Sequence, residues 1–291
     1  MPPFDFEKSV KFIDDFPPMQ GEQQQQKSGP RISLTKAMMF QGQTIAFRLK
    51  ESSRADDNNN FVDYELMSES SISPEAGAYV ANRASFFLSL QDDLRPFYAV
   101  AKEKDPKFYP IVEENWGLHH VKFLTLLEIA CWAILSQRAP MPIARKMKRA
   151  LMEKYGGSME VDGVRYSAFP DYSRMKGVTL DELTLVIRNV RKAGYLSYLL
   201  TSFREVDEDF LRTGKYEEAE AWLKEIRGIG DWSAAFILLR GLGRMERLPL
   251  NLKPVPRGMA EIYGPGQTME EIARIYGPWI GYWSYYLRIS V

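Results

Sequence analysis

From Ala76 to the end of the chain, apolar residues recur at intervals of three and four, and no other feature constrains the fold as strongly. That period is typical of helices with one buried face. Glycines fall where these stretches end, as they often do at helix C-termini. The sequence therefore predicts a succession of helices, over Leu118–Gln137, Met141–Tyr155, Leu180–Ala193, Tyr195–Thr201, Asp207–Thr213, Tyr216–Glu225, Asp231–Leu242, Arg257–Tyr263 and Thr268–Ile275.

The residues before Ala76 have a different pattern. Apolar and polar residues roughly alternate over Ile32–Leu34, Thr44–Leu49 and Phe61–Met67, which predicts a small antiparallel sheet. The polar, glutamine-rich segment 20–30 is predicted to be a flexible arm or linker, because it can bury little apolar surface. The predicted fold is therefore mainly α, with a small N-terminal α+β domain at 1–84 and a helical domain at 85–291.

The overall charge neither favours nor excludes a nucleic-acid partner. Lys and Arg number 38, and so do Asp and Glu, so any attraction to a polyanion has to be local. Basic residues crowd two segments, which are equally well explained as solvated helix faces. They are Arg138, Arg145, Lys146, Lys148, Arg149 and Lys154 in the first segment and Arg188, Arg191 and Lys192 in the second.

Hydropathy and cysteine content predict a cytoplasmic protein. The longest mainly apolar stretch, Val121–Leu135, contains Lys122 and Glu128 and is too short to span a bilayer. The first residues show neither the basic start nor the apolar core of a secretory signal. A single cysteine, Cys131, excludes an internal disulfide and suits a reducing compartment. We therefore expect no membrane partner.

The most informative stretch is a tight turn between two predicted helices. Gly228 and Gly230 flank Ile229, and the helix that follows begins with the small residues Ser233-Ala-Ala. Such a helix-hairpin-helix directs the amide groups of its turn and of the next helical turn outward, where they can bind a DNA phosphate without reading sequence. A glycine-containing turn on its own is more often an ordinary connector, so the surrounding residues have to decide.

The surrounding residues resemble the helix-hairpin-helix DNA glycosylases of the 3-methyladenine (AlkA-type) family. The likeness is strongest in LKEIRGIGDWSAAFILLRGLGR, which contains the hairpin. Three other segments match the family in the same order, namely Ser89–Val100, Leu127–Gln137 and Tyr276–Leu287. The resemblance extends over about residues 85–291 and covers residues 1–84 only in outline.

The resemblance implies a site that holds a flipped base. Gln137 and Arg138 correspond to the loop that the family inserts into the DNA stack, where a side chain fills the space of the extruded nucleotide. Gln137 would hydrogen-bond the orphaned partner base or simply cap its helix. The base pocket would be lined by aromatic residues, for each of which core packing is an equal alternative, namely Trp232, Phe236, Trp279, Tyr282 and Trp283.

One position departs from the family pattern. The family places its essential aspartate after a Leu-Pro or Val-Pro turn, and here the matching residue is Asn251. An amide supplies hydrogen bonds but not the negative charge that stabilises an oxocarbenium-like sugar. Activity therefore depends on what Asn251 can do.

Other chemistry of related enzymes is not expected here. The lysine that bifunctional relatives use for Schiff-base formation is not evident, because Lys224 belongs to the helix before the turn, so the resemblance implies a monofunctional enzyme. One cysteine excludes the four-cysteine iron–sulfur loop, and the adjacent His119 and His120 are poorly placed to share a metal. No cofactor is expected beyond a monovalent cation, which in this family often bridges the hairpin and a phosphate.

The sequence leaves three functional hypotheses open. The first is a glycosylase that hydrolyses the N-glycosidic bond of a damaged, mainly alkylated base in double-stranded DNA, acting as a monomer. The second is a protein of the same fold that binds lesions but cuts weakly or not at all, because of Asn251. The third is a helical protein-interaction domain whose glycines are only structural.

Overall fold

A four-stranded antiparallel sheet forms the N-terminal part of the protein. The computed structural model describes residues 3–28, 31–52, 62–248, 254–264 and 266–290. The strands follow one another in a meander, β1–β2–β3–β4. Their bounds are Gln23–Ser28 for β1, Arg31–Phe40 for β2, Gln43–Glu51 for β3 and Val62–Met67 for β4. The small antiparallel sheet predicted from alternation is thus confirmed.

Strand β1 occupies the segment that was predicted to be flexible. Residues 23–28 pair in register with residues 31–36 of β2. The glutamines also hold the preceding helix, because Gln25 Nε2 donates to Val10 O at 2.7 Å and Gln23 Nε2 donates to Ile13 O at 3.5 Å. Ladder and side-chain hydrogen bonds therefore order a segment that has little apolar surface to bury.

The rest of the described chain is mainly helical, as predicted. The helices α1–α7 cover Phe6–Asp15, Pro74–Phe87, Arg95–Lys104, Tyr109–Glu114, Leu126–Leu135, Met141–Tyr155 and Tyr172–Met175. The helices α8–α15 cover Leu180–Ile187, Val190–Ser202, Glu208–Thr213, Tyr216–Glu225, Asp231–Phe236, Pro254–Tyr263, Met269–Tyr276 and Ile280–Ile289. Helix α2 contains residue 84, where the predicted domain boundary falls; the division into two domains stays a prediction. No helix of the described residues is long and apolar enough to cross a bilayer.

One predicted helix begins later than expected, and a strand pair that was not predicted follows α6. Residues 118–124 form no helix, and α5 starts only after its N-cap Thr125. The amide of Phe123 donates to Arg240 O at 3.1 Å, so this segment lies along the helical turn that contains Arg240. The strands β5, Gly157–Val161, and β6, Val164–Ala168, form a hairpin that the helical pattern concealed. This hairpin packs against one face of the N-terminal sheet.

The apolar core consists of two large clusters. The first cluster joins the N-terminal sheet to helices α1, α2, α5 and α6 and to α11 and α12, the two helices on either side of the glycine-containing turn. Phe236 packs against this cluster. The second is formed by α3, α4, α14 and α15, and contains Tyr282 and Trp283. Residues on α15 and residues on α12 thus belong to different parts of the core.

A buried ion cluster connects the N-terminal sheet to the helices. The Nζ of Lys148 on α6 lies 2.6 Å from Glu22 Oε1 and 2.7 Å from Glu128 Oε1, and Lys36 Nζ on β2 lies 3.1 Å from Glu22 Oε2. Burial by itself raises the pKa of Glu22, but Lys148 and Lys36 outweigh it and hold that pKa below its ordinary value of 4.5. Lys148, predicted from sequence to be part of a basic surface, is instead a core residue because two carboxylates neutralise it.

Replacing Lys148 with methionine should destabilise the protein strongly. The variant leaves the Glu22 and Glu128 carboxylates buried with one cation fewer, which typically costs about 3–5 kcal/mol. The free energy of unfolding in urea measures the effect. The control is Lys146→Met on the exposed side of the same helix, which should change that free energy by less than about 0.5 kcal/mol. Equal free energies of unfolding of the two variants would contradict the conclusion that Lys148 neutralises buried carboxylates.

The same cluster predicts an acid-sensitive stability. Because the pKa of Glu22 is lower in the folded than in the unfolded chain, its contribution is complete above 4.5 and is lost as the pH falls through the folded-state pKa. We expect the free energy of unfolding to decline below pH 4.5, and to decline less steeply in Lys148→Met. Identical pH profiles of the two proteins would show that the ion cluster does not cause the decline.

Candidate nucleic-acid interface and base site

The predicted helix-hairpin-helix is present. Helix α11 ends at Glu225, and the turn that follows is closed by the amide of Ile229, which donates to Ile226 O at 2.9 Å. Gly228 has φ +104°, and a Cβ there would lie 2.4 Å from Cγ of Tyr195, so this position needs glycine for both its backbone and its space. Ile229 is buried in the core, which fixes the turn to the body of the protein. Gly230 is the N-cap residue of α12.

The loop between α5 and α6 is bonded directly to this hairpin. The side-chain amide of Gln137 donates to Gly228 O at 2.7 Å and to Oγ of the buried Ser233 at 3.0 Å. The ammonium group of Lys192 donates to Leu135 O and, at 2.8 Å, to Gln137 O. A cation at this position also interacts favourably with the C-terminal end of the α5 dipole. The two regions predicted to contact DNA are therefore held together.

Gln137 and Arg138 differ in what they leave accessible. The amide nitrogen of Gln137 is occupied by the hairpin, so in this arrangement it couples two loops and does not present its N–H groups to a base. Arg138 has φ +47° and an exposed side chain, and it makes no hydrogen bond or ion pair with the described residues. Its predicted role at the DNA stack stays a prediction, with a geometry that permits it.

Two of the five predicted pocket aromatics form a stacked pair beside the hairpin. The rings of Trp232 and Phe236 lie 5.0 Å apart with an interplanar angle of 10°. Trp232 is 39% exposed, which is high for an indole. Phe236 is half-buried and meets the ring of Phe123 edge-on at 6.3 Å. One ring of the pair is thus anchored to the core, while the other is available to a ligand.

The other three predicted pocket aromatics lie in the second core cluster. Trp283 is fully buried, and its Nε1 donates to Tyr263 Oη at 3.0 Å. Tyr282 is buried and its hydroxyl donates to Asp92, while the half-buried Trp279 lies 6.1 Å from the ring of Tyr282. No ring contact among the described residues joins these three to Trp232 or Phe236. The structure therefore packs Tyr282 and Trp283 inside the second core cluster and Trp279 against it, where the sequence resemblance alone would put all three around a base.

Sequence reasoning missed a buried arginine farther along the same helix. Arg240 lies in a π-helical turn, Ile237–Gly241, that directly continues α12. Trp232, Phe236 and Arg240 recur every four residues, and their exposure falls along the series to 9% at Arg240. Spacing of this kind places residues on one helical face, so it was the available signal. Such π-helical turns are frequent at functional sites.

The surroundings of Arg240 are aromatic. Its guanidinium carbon lies 4.4 Å from the ring centroid of Phe16, 5.2 Å from that of Phe12 and 5.6 Å from that of Tyr285. Its Nη1 bonds His120 Nε2 at 2.8 Å. Burial lowers the pKa of Arg240 to about 10, so the group is charged at neutral pH. Burial, followed by the charge of Arg240, holds the pKa of His120 well below 6.5, so the imidazole is neutral.

Three buried nitrogens of this pair have no hydrogen-bond partner. They are Nε and Nη2 of Arg240 and Nδ1 of His120. Each buried, unpaired polar group costs about 1–3 kcal/mol, more if charged, so an arrangement of this kind calls for an explanation.

The basic residues predicted to attract DNA divide into two groups. Lys148 and Lys192 are buried and bind groups of the protein itself, since Lys148 pairs with two carboxylates and Lys192 donates to two backbone carbonyls. Others stay at the surface near the hairpin, where Arg191 Nε donates to Tyr195 Oη at 2.9 Å. Arg227, which was not among the predicted residues, lies there too, and its Nη1 donates to Tyr198 Oη at 2.8 Å. The remaining surface cations of these segments are Arg138, Lys146, Arg149, Lys154 and Arg188, with Arg145 half-buried.

Two predictions about the site, the catalytic position and the monovalent cation, are not tested by the structure. Asn251, the predicted catalytic position, lies outside the described residues. The monovalent cation expected at the hairpin would be held by backbone carbonyls, of which Gly228 O already accepts from Gln137 and Ile226 O accepts from Ile229. The cation stays a prediction. No cluster of three or more metal-ligating side chains is found among the described residues.

Comparison with solved structures identifies the fold. The 3-methyladenine DNA-glycosylase from Archaeoglobus fulgidus superposes with a TM-score of 0.75 at 20% identity, covering 98% of this chain and 94% of that one. The Clostridium acetobutylicum 8-oxoguanine glycosylase/lyase, in complex with double-stranded DNA containing cytosine opposite 8-oxoG, gives 0.68 at 17% identity, covering 99% and 91%. The predicted helix-hairpin-helix glycosylase fold is thereby confirmed.

Comparison of sequences goes further than the fold. No family model matches the chain. The DNA-3-methyladenine glycosylase of Bacillus subtilis is 30% identical to it over 203 residues, which cover 68% of this chain and 67% of that protein. With the hairpin and the aromatic pair in place, this relationship establishes that the chain belongs to the DNA-3-methyladenine glycosylase family.

Proposed function

We propose that this protein is a monofunctional DNA glycosylase, which hydrolyses the N-glycosidic bond of a damaged, mainly alkylated base in double-stranded DNA. One observation carries the proposal: the stacked Trp232–Phe236 pair, in which Trp232 is exposed, lies on the first turns after a hairpin that is bonded to the Arg138 loop. The relatives named as 3-methyladenine glycosylases support the substrate class. We take one chain to be the functional unit, acting in the cytoplasm at the chromosome.

The hairpin binds the phosphate backbone of the DNA. The amide of Ile229 closes the turn, so the amides offered to DNA are those of the flanking glycines and of the start of α12. The exposed cations nearby are Arg138 on the loop after α5, Arg191 in the first turn of α9 and Arg227 in the hairpin turn. Amide groups at a helix start and arginines are the usual partners of phosphate oxygens. The overall charge of the protein is zero, so this local arrangement has to provide the attraction.

The aromatic pair supplies recognition of the base. An everted base can stack on the exposed face of Trp232, while Arg138 fills the space that it vacates in the duplex. Alkylation at a ring nitrogen makes a purine cationic, and a cation gains about 0.5–2 kcal/mol over an aromatic face. Damaged or mispaired bases are also the least costly to evert. Both effects select against normal bases.

The surroundings of Lys224 support a monofunctional mechanism. Its ammonium group pairs with Asp231 at 2.5 Å, and this hydrogen bond raises the pKa of the lysine. A Schiff-base lysine has to be neutral to attack the sugar, so a raised pKa opposes that chemistry. Hydrolysis by water is then the expected reaction.

Asn251 determines how fast the bond is broken. The family aspartate stabilises positive charge on the sugar, and a unit charge pair at about 4 Å is worth about 4 kcal/mol at an effective dielectric near 20. Asparagine in place of the aspartate therefore lowers the rate of bond cleavage by up to about a thousandfold. Cationic alkylpurines leave as neutral bases and have labile bonds, so slow turnover by an amide that positions water is compatible with this proposal. A lesion-binding protein without turnover is the alternative.

Changing Asn251 to aspartate should therefore increase activity. We expect release of 7-methylguanine from methylated duplex DNA to rise by about two to three orders of magnitude under single-turnover conditions. Release by the variant alone would favour the lesion-binding alternative for the natural chain. Absence of release from both proteins would refute the proposed hydrolase.

Removing the exposed indole should weaken base recognition. Trp232→Ala loses a stacking contact worth about 1–3 kcal/mol, so kcat/KM for a methylated duplex should fall about 5- to 150-fold. Tyr64→Ala, at a 58% exposed aromatic on the N-terminal sheet, is the matched control and should leave kcat/KM unchanged. If both variants behave like the natural protein, Trp232 does not contact the base.

A further inference from the structure

A cavity of about 230 Å³ lies between the end of α2, the loop that follows α2, the end of α10 and the loop after the π-helical turn. No described residue of the hairpin, of the Arg138 loop or of the aromatic pair lines it. Sites for drug-sized ligands usually measure about 300–1,000 Å³, so a ligand held here is small. We name it the basic cavity, after the cations Lys122, Arg212 and Arg244 in its wall.

Cations surround one aromatic ring in this wall. Lys122 Nζ and the guanidinium carbon of Arg212 each lie 4.4 Å from the ring centroid of Phe86. The guanidinium carbon of Arg83, which does not line the cavity, lies 4.8 Å from the same centroid. Burial lowers the pKa of Lys122, and the charges of Arg212 and Arg83 lower it further. Positive charges so close together repel one another unless negative charge offsets them.

The neighbouring carboxylates offset all but one of these charges. Three cations have a carboxylate partner among the described residues, in the pairs Arg83–Glu208, Lys122–Asp92 and Arg244–Glu246. The Asp92 carboxylate, which is part of the wall, has both oxygens engaged, because one faces Lys122 at 3.5 Å and the other accepts from the Tyr282 hydroxyl. Arg212 has no ion pair or hydrogen bond with a described residue. One positive charge of the basic cavity is therefore unbalanced.

Neutral hydrogen-bonding groups complete the wall. The side chains of Asn82, Ser85 and Gln91 line the cavity and make no hydrogen bond with another described residue. Gly243 has φ +72°, and a Cβ there would lie 2.4 Å from Lys122 Cε, so glycine leaves the room that the lysine side chain occupies. Arginine and lysine together with amide and hydroxyl groups are the set of donors that binds phosphate oxygens.

We propose that the basic cavity binds a phosphate group and that Arg212 is the residue that anchors it. A phosphate neutralises the unbalanced charge, and the planar guanidinium fork fits two of its oxygens. The side chain of Lys122 is only 4% exposed, so it adds its charge from the inner part of the wall. The phosphate belongs to a small phosphorylated ligand or to the DNA backbone, and the volume of the cavity favours the small ligand. The site is separate from base recognition and does not depend on the function proposed above.

Titration calorimetry in chloride buffer tests the site with inorganic phosphate and with deoxyadenosine monophosphate. We expect Arg212→Met to weaken the binding of both about 10- to 100-fold, the range for losing hydrogen bonds to a charged group. Arg212→Lys keeps the charge but loses the fork, so its affinity should lie between the two. The matched control is Arg165→Met, which removes the same charge from β6, outside the cavity, and should bind phosphate like the natural protein. Deoxyadenosine, which lacks the phosphate, should not compete.

A duplex with an abasic analogue distinguishes the two sources of the phosphate. If a small ligand occupies the basic cavity, Arg212→Met binds the duplex as tightly as Arg165→Met does, and phosphate binds equally to the free protein and to the complex with DNA. If the DNA backbone occupies it, Arg212→Met loses affinity for the duplex and phosphate competes with the duplex. Each of these results supports the site.

Two results would overturn the proposal. They are the absence of saturable phosphate binding by the natural protein, and an unchanged phosphate affinity in the folded Arg212→Met or Arg212→Lys protein. Circular dichroism establishes which of these variants is folded. Release of a damaged base is not part of this test, so the proposed glycosylase is judged by its own experiments.

Discussion

The hydrogen bonds from the Gln137 side-chain amide to Gly228 O and Ser233 Oγ are the contacts on which the rest of the site depends. They join the loop after α5 to the hairpin, and Lys192 holds the same loop from the other side. Insertion of a side chain into DNA and capture of the extruded base have to occur at a fixed separation, because a misplacement of about 1 Å costs much of the rate. A rigid link between the two loops meets that requirement.

Along the helix that follows the hairpin, three side chains on one face lie at increasing depth below the surface. Trp232 lies at the surface, Phe236 half-buried below it, and Arg240 in the core beside His120. Aromatic rings bind any base by stacking, so the exposed indole of Trp232 is the part of this face that a base can reach.

The sequence was sufficient to predict the features that local periodicity and short motifs determine. The helical region, the small sheet, the hairpin and the aromatic pair next to it follow from spacing and from glycine positions. Features that depend on contacts between residues distant in sequence could not be predicted in this way. Tyr282 and Trp283 belong to the core because Asp92 and Tyr263 satisfy them, and β1 is ordered because its glutamines bond α1. Arg240 looked like any helical arginine, since its burial becomes apparent only once α1 and the residues before α5 are in place.

Fluorescence of 2-aminopurine placed at the lesion position tests the central claim most directly, namely that a base leaves the duplex and stacks on Trp232 beside the hairpin. Emission of this base analogue rises when it unstacks from its neighbours and falls again when it stacks on an indole. If the everted base stacks on Trp232, binding of the natural protein gives a weak net signal and binding of Trp232→Ala a large rise, at salt concentrations where both proteins are bound. Unchanged emission in both complexes would contradict base eversion by this protein.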